Sequence, residues 1–150
     1  VRLNEVGKSG KPPTERLLAI TDEFFIYGAK YPAFVDCAQS LLRQRGSELL
    51  QQISVERLTE LGEVINRCFA QVTATIIEGN ENGTFDVEDP ELVTNIMYTQ
   101  GLGVLNLVTF QLSIRELNSG LPTMDHLPMP DVVKVAQRAI LGMLMPNDKA

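Results

Sequence analysis

The sequence predicts an all-α fold, a bundle of five or six helices, and three observations carry that expectation. Apolar residues recur at spacings of three and four along 55–76, with charges on the opposite side, which is the signature of a long amphipathic helix. Helix-start chemistry recurs where Pro follows a helix break or a capping residue, at Tyr31-Pro32 and Asp89-Pro90. Val, Ile and Thr are nowhere arranged in the alternating runs that a half-buried strand needs.

Taken in order, Pro13-Thr14-Glu15 predicts the first start, with Thr14 as cap and Glu15 complementing the dipole. Leu17, Thr21, Phe24 and Gly28 then share a stripe, with Leu18 and Phe25 beside it and Glu15, Asp22 and Glu23 towards the other side. Tyr31-Pro32 breaks this helix, because the residue before Pro avoids the α region, and Pro32 opens a second. Its expected inner face is Phe34, Cys37, Ala38, Leu41 and Leu42. A third helix is expected from a Ser54 cap, burying Val55, Leu58, Leu61, Ile65, Cys68, Val72 and Ile76.

Residues 79–88 carry Gly79, Asn80, Asn82 and Gly83 and read as a solvated loop. Asp89-Pro90-Glu91 then gives a cap, a Pro at the first helical position and an acid in the first turn. The fourth helix is expected to reach about Leu117, and Leu102 to Ile114 has no charged face, so it must be covered on more than one side. After a loop with Gly120, Pro122 and Pro128, a fifth helix is expected from Pro130-Asp131 to a stop at Pro146. Its stripe is Val132, Val133, Ala136, Ile140, Met143 and Leu144, with Lys134, Gln137 and Arg138 facing out. Both last helices are more apolar than a small monomer can bury, so a homodimer is expected through them. Residues 1–12 read as a leader, 13–146 as the helical domain and 147–150 as a tail.

Composition narrows the function. The 150 residues suffice for one domain with its own core. Net charge is −6, and Glu78, Glu81, Asp86, Glu88, Asp89 and Glu91 alone account for that sum. The chain has no basic patch suited to a phosphate backbone, and its one basic bias is at the N-terminus, where Arg2, Lys8, Lys11 and Arg16 stand against Glu5 and Glu15. Cys37 and Cys68 stand outside any CxxC and read as two buried thiols in a reducing cytoplasm. No signal peptide is visible, and no apolar run reaches the ~18–20 residues of a membrane span.

Enzyme chemistry is not expected. There is no P-loop, GxSxG or HExxH, and the lone His126 in Asp125-His126-Leu127-Pro128 lacks a nucleophile or further metal ligands. The acidic segment lacks EF-hand spacing, and neither cofactor nor metal is expected. Large adaptable side chains, among them Phe24, Phe69, Met97 and Tyr98, instead alternate with polar Thr73, Thr99 and Asn106 on predicted helices. Apolar walls with a few polar anchors suit a small-molecule pocket, although the same residues also serve a plain helical core.

Three stretches resemble the C-terminal domain of TetR-family transcriptional regulators. Glu15-Arg16-Leu17-Leu18 through Phe24-Phe25 to Tyr31-Pro32-Ala33-Phe34 is similar to that domain's first helix and the aromatic-Pro start after it. Asp89-Pro90-Glu91-Leu92-Val93-Thr94-Asn95-Ile96-Met97-Tyr98, followed by Gly103, resembles the start of the penultimate long helix. The amphipathic helix closing the chain after a variable loop is the third, so the resemblance spans about residues 14–145.

The resemblance implies a four-helix dimer interface from the last two helices of each subunit, and an inducer pocket enclosed by the others. By position, Gly103 would permit close helix approach, with Leu107 and Phe110 on the same helix and Val133, Ala136, Ile140, Met143 and Leu144 on the last. Phe24, Cys37, Phe69, Thr73, Met97 and Tyr98 would contact a small, largely apolar effector. The family's N-terminal helix-turn-helix finds no counterpart here, so DNA would be reached only through a head that these residues lack. With Val rather than Met at position 1, the chain is expected to be a fragment of a longer one. The rival expectation is a helical homodimeric protein–protein interaction module without a ligand.

Overall fold

A computed structural model describes residues 10–43, 55–110 and 128–146. They form α1 (Pro13–Lys30), α2 (Pro32–Arg43), α3 (Val55–Glu81), α4 (Pro90–Phe110) and α5 (Met129–Leu144), with no strand among them. The fold class is therefore all-α, as expected. Helix α4 packs against each of the other four, and α1 against α2, α3, α4 and α5, so these two form the centre. Ser54, His126, residues 111–127 and the tail lie outside the described residues, as do the side chains of Leu41, Leu42 and Cys68.

Helix starts follow the local chemistry with one change. Pro13 occupies the first turn of α1 after Pro12, with no side-chain cap, so Thr14 is helical rather than the expected cap. A fixed φ and a missing N–H suit Pro to that place, and they move the start ahead of Thr14. At α4 the expectation holds: the Leu92 amide donates to Asp89 Oδ1 at 2.9 Å. Helix α5 begins one residue early, at Met129.

Two clusters make the core. One gathers Leu17, Ile76, Phe85, Val87, Met97, Ile140 and Leu144, and the other Phe25, Val35, Ala38, Leu102 and Leu105. Full burial of each Val, Leu, Ile, Met or Phe side chain among them contributes about 1.5–3 kcal/mol relative to exposure. Glycines bring α1 and α4 close: a methyl group at Gly28 would run into Leu105, and one at Gly101 would meet Phe24 Cε1 at 2.8 Å.

The connection between α3 and α4 departs from the solvated loop expected. Helix α3 runs on to Glu81, and Phe85 folds back over Gly79. Val87 is also buried, and the Asn80 side chain holds its backbone from both sides, accepting from its amide at 3.1 Å and donating to its carbonyl at 2.7 Å. The Asp86 amide donates to the Leu144 carbonyl at 2.9 Å, which ties the segment to the end of α5. Gly83 takes the positive φ, 76°, that this tight reversal needs. Two apolar residues among acids thus make this segment part of the core, while its carboxylates stay exposed.

Helix α2 also differs. It buries Val35 and Ala38, while Phe34 and Cys37 are exposed. The phase is one residue away from the expected one, since Phe34 packs edge-on against Tyr27 at the helix junction instead of inward. Cys37 is accordingly an exposed free thiol and not a buried one.

Candidate functional site

Four of the residues expected to touch an effector converge. Phe24 is half-buried beside the fully buried Phe25, and its ring meets Tyr98 of α4 edge-on at 6.1 Å. Tyr98 in turn meets Phe69 of α3 at 4.9 Å. Such edge-to-face pairs contribute about 0.5–1.5 kcal/mol beyond their buried area. Thr73 lies one turn beyond Phe69, and its hydroxyl shares a hydrogen bond of 3.0 Å with that of Thr94. The other two do not join them. Met97 is packed in the core beside Leu17, Ile76 and Phe85, and Cys37 faces solvent on α2. The Met97 side chain is enclosed by its own core, and that of Cys37 is turned outward by the phase of α2.

Phe69 and Thr73 line an open groove of about 350 Å³ between α3 and α4. Asn66, Ala70, Ala74 and Ile77 complete its α3 side, and Glu91, Thr94 and Asn95 form its α4 side. Small residues at 70, 73 and 74 leave the space that larger ones would fill. Glu91 is the one charged lining residue.

A larger open groove, about 540 Å³, lies between α1 and α5. Phe25, Ile26, Ala29, Met129, Pro130 and Val133 make it apolar, with Asp22, Lys134 and Gln137 at its edge. Gln137 Nε2 donates to Asp22 Oδ1 at 2.7 Å and reaches the Leu18 carbonyl at 3.4 Å, which closes one end. Sequence reasoning missed this groove. Its signal was Ile26, an apolar residue between Asp22 and Lys30 on the polar side of α1, which is 60% exposed.

The expected interface residues divide. Gly103 and Leu107 lie on an outer face of α4 that continues through Leu92, Ile96 and Thr99, all exposed and none charged. From Leu92 to Leu107 this stripe is about 22 Å long. Leu92 is 55% and Leu107 46% exposed, and a side chain at Gly103 would meet nothing. The side chain of Phe110 lies outside the described residues. On α5, Val133 and Ala136 are half-buried against Phe25 and Leu105, and Met143 against the other cluster.

Ile140 and Leu144, also expected at the interface, are buried within the protomer at 5% and 0% exposure. The apolar residues that α5 leaves bare are on its opposite side: Val135, Ala139, Gly142 and, just past its end, Met145. Apolar residues surround most of α5, so its periodicity alone does not tell inner from outer face.

Among the described residues no group of three or more His, Cys, Asp or Glu could hold a metal, and no helix is long and apolar enough to cross a membrane. An ion pair joins Arg16 of α1 to Glu78 of α3, so Arg16 serves the fold and not a basic leader. No family model, curated protein or solved structure matches the chain.

Proposed function

We propose that the chain is the effector-sensing and dimerisation domain of a TetR-like transcriptional regulator. The observation that carries this reading is the outer face of α4, an uncharged, largely apolar stripe on the penultimate described helix that is exposed among the described residues. A second copy covering that face would give the homodimer, with DNA contacts left to a helix-turn-helix head. The α3–α4 groove, flanked by Phe69, Tyr98 and Phe24, supports an effector site for a small, largely apolar molecule. A ligand there touches the helix that carries the dimer face. It acts by population shift, favouring one placement of α4 over another, and transmits nothing unless its affinity differs between the two.

The same face of α4 also fits a ligand-free homodimeric interaction module, and only the groove separates the two readings. Thermal unfolding against a panel of apolar compounds is the test, since a ligand bound by the native state alone raises the midpoint. We expect some compounds to raise it, and the rise to vanish in Ala74→Leu, which fills the groove. A panel that leaves the midpoint unmoved replaces the sensor with the interaction module.

A further inference from the structure

The charges around the two grooves differ, and the difference selects a class of ligand for one of them. The α1–α5 groove has both signs at its edge, Asp22 and Lys134, and so favours neither. The α3–α4 groove has a single charged lining residue, Glu91, exposed on α4 one turn from Asn95; the Phe69–Tyr98 and Thr73–Thr94 contacts set the two helices antiparallel, so Glu91 lies at the Ile77 end and Asn66 at the far end. The adjoining segment adds Glu88 and Asp89, also exposed, and no cation. Along α3 the nearest cation in sequence is Arg67, exposed and outside the lining. Between these ends Phe69, Ala70 and Ala74 form an apolar wall, which Ile77, 44% exposed, continues towards Glu91.

We propose that the α3–α4 groove takes a lipophilic cation, an apolar body carrying an ammonium group. The body lies along Phe69, Ala70 and Ala74, and the head faces Glu91 at the Ile77 end, with Asn95 one turn away on α4. Charge complementarity selects the sign: a carboxylate head would face Glu91 with no lining cation to offset it, and a neutral head would forgo the attraction. Because Glu91 is exposed, its share is modest, about two- to fivefold in affinity, and it shrinks as salt is raised. The inference rests on the sensor reading, since it names the ligand class of that same groove.

The test uses three probes with the same chain and different heads, octyltrimethylammonium, octanol and octanoate, each below its micelle-forming concentration and titrated calorimetrically into the whole chain. We expect the ammonium probe to bind most tightly and octanoate least, with Glu91→Gln reducing only the ammonium affinity, about two- to fivefold. Ala74→Leu should remove binding of all three. If the probes bind alike and Glu91→Gln changes nothing, or octanoate binds best, the cation inference is overturned while the sensor reading stands. If none binds, the groove is no ligand site, and both fall.

Discussion

Helix α4 has two faces made of similar residues in opposite situations. Inward, Leu102 and Leu105 are fully buried and Gly101 is the seat of the Phe24 ring. Outward, Leu92, Ile96 and Leu107 stand in solvent and Gly103 faces open space. Two glycines only two residues apart therefore do different things. Gly101 is small because a ring occupies the space a side chain would take, whereas nothing among the described residues requires Gly103 to be small. A face whose composition no described residue explains is where a partner is to be sought, and this is why the proposed dimer is placed there.

Substitutions along this one helix separate the faces. Leu105→Ala should have the largest effect, lowering unfolding free energy by about 2–5 kcal/mol in urea titrations, because it leaves a cavity at a fully enclosed site. Gly101→Ala comes next. Its added methyl displaces the Phe24 ring, and after the gain in helix propensity the net loss should be about 1 kcal/mol. Gly103→Ala should have the smallest effect and the opposite sign, a gain of about 0.5–1 kcal/mol, since the methyl meets nothing. That last value is to be measured with Leu107→Glu also present, so that the protomer alone is observed. Equal losses at 101 and 103 would erase the distinction between the faces.

Which parts of this arrangement were legible in the sequence follows from how many neighbours each signal needs. The Asp89-Pro90 start of α4 was readable because a cap is a local hydrogen bond, made here by Asp89 to the Leu92 amide. Helix α3 was readable because its charges mark one side over many turns. The phase of α2 was not, since Phe34, Val35, Cys37 and Ala38 are all apolar and the choice fell to Tyr27, which draws the Phe34 ring to the helix junction. On α5 the residues expected at the interface include Ile140 and Leu144, which the protomer takes for its own core. The burial of Phe85 and Val87 was hidden for a related reason. Acids and turn residues dominate that segment, and only the end of α5 and the space above Gly79 make it worth burying. In the candidate site, Phe24, Phe69, Thr73 and Tyr98 came together because each stands on the half-buried flank of its helix.

The most direct test of the dimer assignment is the mass of the chain in solution, by light scattering at micromolar concentration, for the natural sequence and for Leu107→Glu. Leu107 is half exposed, so in an isolated protomer a carboxylate there reaches water and costs little, but against a second copy it would be buried without a partner. We predict a dimer for the natural sequence and a folded monomer for the variant, with helicity unchanged by circular dichroism. A natural chain that is monomeric, or a variant that remains dimeric, would contradict the account.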